Sequence, residues 1–276
     1  MQPTGYTHTR TDHRLSARAA VVKWLRVLRL NRIAARLYYR HVHGFASAGR
    51  ELPEVIRRCL RRAVDTGTAQ SGDYYEFGVF KGHTFLQAQL AARELEIHGL
   101  RFFGFDSFQG LPPVAGVDAT PAQPFYEGQY AWPLDRVRAE LTTRGVDWER
   151  TFLIEGYFKD TLNETTRAVY RMTKASVVLL DSDLYESAAC ALAFLQDMLI
   201  DEGILIMDDW NAFDGDEARG ERRAMAEFLQ AHPEWTAEPW FRYGSYGQVF
   251  VMHHTRTGNT QDAQPTRLIG RRQRTV

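Results

Sequence analysis

Tyr74-Tyr75-Glu76-Phe77-Gly78-Val79-Phe80-Lys81-Gly82 reads as a short apolar strand, a turn bounded by glycines and the opening of a helix, and this stretch decides the fold. Upstream, Val55, Ile56, Cys59, Leu60, Ala63 and Val64 recur at helical spacing after Pro53 and stop at the turn Ser71-Gly72-Asp73. Downstream the pattern becomes strand then helix, repeatedly. Strands are expected over 74–77, 102–105, 151–154, 177–180 and 204–207, with helical stretches such as 84–96, 134–144 and 188–199 between them. Alternating β and α elements predict an α/β class fold with a mostly parallel sheet. After a helix over 221–230, strands over 235–241 and 248–253 flank Tyr243-Gly244-Ser245-Tyr246-Gly247, which predicts an antiparallel hairpin at the sheet edge.

Outside this core the chain changes character. Within residues 1–50, Arg10, Arg14, Arg18, Arg26, Arg29, Arg32, Arg36 and Arg40 alternate with Trp24, Leu25, Leu28, Ile33, Leu37 and Tyr38, predicting a basic amphipathic helical extension. It reads first as a packing arm with a solvated basic face, and secondly as a homo-oligomer contact, lid or membrane-surface element. Residues 255–276 are polar and unpatterned and are expected to be a disordered tail. That leaves 51–254 as one catalytic domain, a division consistent with a chain of 276 residues.

Composition narrows the function classes. The 34 lysines and arginines balance 34 aspartates and glutamates, so no net field draws the chain to nucleic acid, which is not expected as a partner. Cys59 and Cys190 have no paired-motif spacing, which argues against a disulfide framework or a zinc site and suits a reducing, cytoplasmic setting. No stretch approaches the roughly 18 apolar residues needed to span a bilayer, so a soluble, unsecreted protein is expected.

Acids gather where the strands end: Glu76 in the first, Asp106 after the second, Asp181 after the fourth, Asp208 and Asp209 after the fifth. Each alone is an ordinary turn former or helix cap. Ligands of open parallel sheets bind beyond the carboxyl ends of the strands, so together these acids should meet in one crevice. Gly78 would let backbone approach a ligand and Gly82 would start the helix tightly, although the G-x-G-x-x-G spacing of a dinucleotide site is missing. Asp106 stands where such folds bind ribose hydroxyls. Asp181-Ser182-Asp183 and Asp208-Asp209 crowd like charges onto neighbouring strand ends, which is costly unless a cation is bound. An all-oxygen donor set selects a hard ion, Mg²⁺ first, with Mn²⁺ or Ca²⁺ as substitutes.

From about residue 72 to 253 the sequence resembles the macrocin O-methyltransferase family, which methylates sugars in macrolide and aminocoumarin antibiotic biosynthesis. Five ordered segments carry the resemblance: YEFGVFKG (75–82), FDSFQGLP (105–112), GYFKDTL (156–162), LDSDLYES (180–187) and GILIMDD (203–209). The resemblance implies a Rossmann-like class I methyltransferase with a seven-stranded sheet. It implies S-adenosylmethionine as cofactor, bound by Glu76, Gly78, Asp106 and Ser107, with Gly156, Tyr157 and Phe158 near the adenine and Asp181 bordering the site. It further implies Mg²⁺ on Asp181, Asp208 and Asp209, Asp183 as general base, and a small-molecule acceptor such as a sugar or polyol hydroxyl. Residues 113–133 and 213–220 match no substrate signature; the aromatics and prolines of 112–133 suggest a lid or an ordinary packed surface loop, with Tyr185 and Trp210 as further acceptor contacts or simply core. Rival readings are a D-x-D glycosyltransferase, which leaves Glu76 to Gly82 unexplained, an NAD-dependent oxidoreductase, and a non-catalytic S-adenosylmethionine-binding protein.

Overall fold

A computed structural model of the chain describes Phe45, residues 51–119 and residues 125–255. The basic helices expected within 1–50 and the tail beyond Thr255 lie outside the described residues.

Helix α1 (Leu52–Asp65) leads to β1 (Asp73–Phe77), α2 (His83–Glu94), β2 (Phe102–Asp106), α3 (Leu134–Thr143) and β3 (Thr151–Glu155). Two short helices, α4 (Phe158–Thr161) and α5 (Glu164–Tyr170), precede β4 (Ala175–Leu180). Then come α6 (Tyr185–Leu195), β5 (Leu199–Met207), α7 (Gly220–Ala231), β6 (Trp235–Tyr243) and β7 (Gly247–His254). The sheet has seven strands in the order β3-β2-β1-β4-β5-β7-β6. The first five are parallel, and β7 runs antiparallel between β5 and β6, as the hairpin reading requires.

Period-2 side-chain alternation builds two hydrophobic layers from one sheet. Tyr74, Phe102, Val177, Leu179, Ile204 and Ile206 face the layer packed by α1, α2 and α3. Their neighbours Tyr75, Phe103, Phe77, Phe105, Val178 and Leu205 face the layer packed by α6 and α7. In-register pairing makes aromatic ladders on the second face: Tyr75 stacks on Phe103 and Phe103 on Phe152, each with centroids 5.1 Å apart, and Phe77 stacks on Phe105 at 5.1 Å. Each ring buried in this way contributes about 1.5–3 kcal/mol.

One boundary differs from expectation. The apolar run expected as a helix over 188–199 divides, with α6 ending at Leu195 and Leu199 opening β5. Met198 N–H donates to Leu195 O, closing the helix in a tight turn, and the β4–β5 register slips between Ala175 and Val177 to admit the extra residues. Continuous apolarity cannot tell a buried helix end from a buried strand start. Among the described residues no helix is long and apolar enough to cross a membrane.

Candidate active site

The chain runs outward from β1 to β2 and β3, then returns to place β4 on the other side of β1. That reversal opens a crevice beyond the strand ends, the position where α/β sheets bind ligands. A cavity of about 540 Å³ occupies it, of the size that holds a small organic molecule. Gly78, Asp106, Ser107, Tyr157 and Phe158 line one part of it; Asp181, Asp183, Asp208 and Asp209 line another.

The glycine turn is shaped by the sheet. Gly78 has φ +98°, and a Cβ there would collide with the carbonyl oxygen of Asp181, so it is the close approach of β1 to β4 that demands glycine. Gly82 caps α2 in the left-handed region at φ +84°, as its position at the helix start suggested, and a Cβ there would press on Leu141 Cδ2 at 3.1 Å. Asp106 organises the intervening residues: its Oδ2 accepts the N–H groups of Val79 (2.8 Å) and Phe80 (2.7 Å), and its Oδ1 accepts that of Phe108 (2.6 Å). Burial pushes its carboxyl up, and the three N–H groups oppose the rise. Two donors occupy Oδ2, whereas Oδ1 keeps a lone pair. Ser107 forms a local turn, donating to Gly110 O (2.7 Å) and accepting from Gln109 N (3.0 Å).

Glu76 is not where the motif implied. It is fully buried and absent from the cavity wall. Alternation along β1 puts it on the same face as Tyr74, toward α2, and both oxygens are engaged there: Oε2 accepts Tyr74 OH (2.7 Å) and Oε1 accepts Thr84 Oγ1 (2.6 Å). Burial raises its carboxyl to about 8. Gly156 is likewise outside the wall, serving the backbone by donating its N–H to Asp106 O (2.9 Å), while Tyr157 and Phe158 border the cavity.

The four aspartates converge because two adjacent strands end together. Asp181 N–H donates to Phe77 O and Asp208 N–H to Leu180 O. The backbone turns at Asp183, φ +60°, and its N–H donates to Asp209 Oδ2 (3.0 Å). Burial pushes all four carboxyls up, Asp181 and Asp183 furthest; repulsion from the other aspartates adds to the rise in Asp181, Asp183 and Asp209, which reaches about 7, while the Tyr243 hydroxyl opposes it in Asp208. Among the described residues no three His, Cys, Asp or Glu side chains already form a closed metal-ligand set. What the donor set offers is hard oxygen and uncompensated negative charge, which fits a hydrated divalent ion of the Mg²⁺ type better than a dehydrated one.

Three residues of the site were not legible as motifs. Tyr243, at the end of β6, donates its hydroxyl to Asp208 Oδ1 (2.8 Å). Its ring lies across Gly247, where a Cβ would collide with it. Glu221, in the first turn of α7, is buried beside the aspartates. Asp118, 2% exposed, accepts the N–H groups of Tyr185 (2.8 Å) and Glu186 (3.3 Å), capping α6 from a distant segment. That segment belongs to the expected lid, from which Pro112, Pro113 and Tyr130 reach the cavity. Tyr130 meets Phe80 edge-on at 5.9 Å and the Lys81 ammonium sits 4.5 Å from the Trp132 ring centroid, so the segment packs on the glycine turn. Tyr185 and Trp210 stay out of the wall: Tyr185 OH donates to Glu227 (2.6 Å) and Trp210 packs on Phe250 at 4.7 Å.

A family model described as Macrocin-O-methyltransferase (TylF) matches residues 40–234. The 8-demethyl-8-(2,3-dimethoxy-alpha-L-rhamnosyl)-tetracenomycin-C 4'-O-methyltransferase of Streptomyces olivaceus is 34% identical over 164 residues, 56% of this chain and 58% of that protein. The demethyldecarbamoylnovobiocin O-methyltransferase of Streptomyces niveus is 30% identical over 171 residues, 57% of this chain and 59% of that one. The chain thus spans less than two thirds of the length of these curated relatives. Among solved structures, the O-methyltransferase NovP superposes with a TM-score of 0.62 at 22% identity, over 76% of this chain and 83% of that one. A calicheamicin methyltransferase gives 0.59 at 23% identity, over 72% and 77%. At such identities the likeness is one of fold, and it is the Rossmann-like methyltransferase fold.

Proposed function

Because the chain belongs to the macrocin-O-methyltransferase family, we propose that it transfers the methyl group of S-adenosylmethionine to a hydroxyl of a sugar or glycosylated natural product, assisted by a divalent cation. The observation that carries this reading is one cavity at the β1–β4 reversal, walled by Asp106, Tyr157 and Phe158 on one side and by four half-buried aspartates on the other. Residues 51–254 form the catalytic domain in this reading, and 1–50 and 255–276 are extensions. The family relatives' own names, each a methyltransferase of a natural product, support the acceptor class.

When bound, the cofactor supplies an electrophilic methyl on a sulfonium, and Mg²⁺ supplies Lewis acidity toward the acceptor hydroxyl. The protein's part is alignment, charge and proton transfer. Asp106 Oδ1 offers its remaining lone pair to a ribose hydroxyl, and Tyr157 and Phe158 give the apolar wall that an adenine needs. Asp181, Asp208 and Asp209 would hold the cation. Asp183, whose carboxyl burial and the neighbouring Asp209 and Asp208 push well above its usual range, would take the acceptor's proton at its carboxylate. Pro112, Pro113 and Tyr130 close the rim against water.

Calorimetry with S-adenosylmethionine, a nucleotide sugar and NAD, each with and without Mg²⁺, tests the assignment. Binding of S-adenosylmethionine alone among the three is expected; binding of the nucleotide sugar in its place overturns it. Asp183→Asn should retain cofactor affinity and lose at least about 10²-fold in turnover, the usual scale of a general base. Asp208→Asn should in addition raise the Mg²⁺ concentration needed for half-maximal rate. Full activity of either variant in excess EDTA would exclude the cation-assisted route.

A further inference from the structure

Glu221 is a buried acid that the proposed chemistry does not use. It is the second residue of α7, 1% exposed, and neither carboxylate oxygen has a hydrogen-bond partner. Its placement is firm. On one side of it, Arg222 Nε donates to Trp210 O (3.1 Å) and an Arg222 terminal nitrogen to Asn211 Oδ1 (2.9 Å). On the other, Gly220 abuts Phe213, where a Cβ would stand 2.9 Å from the ring. The first turn of α7 is therefore clamped onto the loop that follows Asp209, and Glu221 is held against the aspartate cluster.

The charges that act on it most are acids. After burial, the groups that push its carboxyl up are Asp209, Asp208, Asp181 and Asp183, in that order. A buried carboxylate with no hydrogen-bond donor is among the most unfavourable arrangements a protein can hold. Its position in the first turn favours an acid through the helix dipole, but no N–H group reaches it. A divalent ion among the aspartates supplies what is lacking.

We propose that Glu221 is a positioning residue of the cation site, an outer carboxylate that faces the ion through its water shell and raises its affinity. This rests on the cation reading above. Ions of the Mg²⁺ type keep several waters in their shell, and an outer acid can attach to these.

The test is titration of the full chain with Mg²⁺ by calorimetry and with Mn²⁺ by electron paramagnetic resonance, without cofactor or acceptor, for wild type, Glu221→Gln and Glu221→Met. Either neutral variant should bind the ion about tenfold more weakly, the scale of an outer-shell loss. In EDTA both should melt no lower than wild type, because each removes an uncompensated buried charge; a purely structural role would lower the melting point. Affinities within twofold of wild type overturn the proposal while leaving the cation site standing. If wild type itself binds neither ion, the cation reading fails, and this inference with it. The two neutral substitutions differ in polarity, so a folding defect in one leaves the other to decide.

Discussion

Tyr243 ties down Asp208 with one phenolic hydrogen bond, and removing that hydroxyl isolates its contribution. Tyr243→Phe keeps the ring on Gly247, so the fold should persist while Mg²⁺ affinity falls about tenfold in calorimetry, as is common when a ligand's partner is lost. Glu76 makes a different prediction, of stability against pH. Its native carboxyl is raised by burial to about 8 from an unfolded value of 4.5, so the native state binds the extra proton between these limits. The protein is therefore most stable, as far as this group is concerned, below pH 4.5, and loses that contribution as pH rises toward 8. Glu76→Gln should flatten the decline, by up to about 4 kcal/mol at about 1.4 kcal/mol per pKa unit, seen as a smaller difference between denaturation midpoints at pH 5 and pH 8. A variant with the wild-type slope would exclude a buried, proton-binding Glu76. The aspartates were legible in the sequence because strand ends announce themselves locally. Glu76 was misplaced because its motif carries no information about face, whereas the two-residue period of β1 puts it beside Tyr74. Tyr243 and Glu221 left no local signal; β6 and α7 bring them to Asp208 and Asp209 only through tertiary packing.

Elements show the same division. Strand-then-helix alternation identified the sheet class, and the glycines around 243–247 identified the hairpin. The run from α6 into β5 was misdivided because 188–195 and 198–200 are both apolar and only a short turn at Met198 separates them. The segment between β2 and α3 could be read only as aromatic and proline-rich. Folded, it is pinned by Asp118 to the start of α6, the helix that follows the Asp181–Asp183 turn, and by Arg219, which donates to Val117 O at 3.3 Å. Asp118→Ala strips two backbone N–H groups of their acceptor and should cost about 1–2 kcal/mol in denaturant unfolding, the scale of a lost helix cap. If the segment also shapes acceptor binding, the same variant should raise KM for the acceptor more than it lowers kcat. An unchanged KM would reduce Asp118 to a cap alone.

At the scale of the molecule, alternation along the chain gives parallel strands but not their order, because order depends on which strand pairs with which across long loops. Here β1 lies inside the sheet, flanked by β2 and β4, and that choice opens the crevice. The strand order also separates labour: β1, β2 and β3 carry the side suited to a nucleoside, while β4 and β5 carry the acids. The last strand completes the arrangement by inserting between β5 and β6, and Tyr243 reaches Asp208 across that inserted strand. A ribosome delivers the two aspartates that follow β5 roughly forty residues before β7 emerges, and domains tend to assemble as their chain appears. Until then the nascent sheet ends in an open edge whose acids repel one another with no phenol to steady them. Completion of the acidic cluster thus waits for translation of nearly the whole domain, so an interrupted polypeptide would carry the acidic sequence without the strand that orders it.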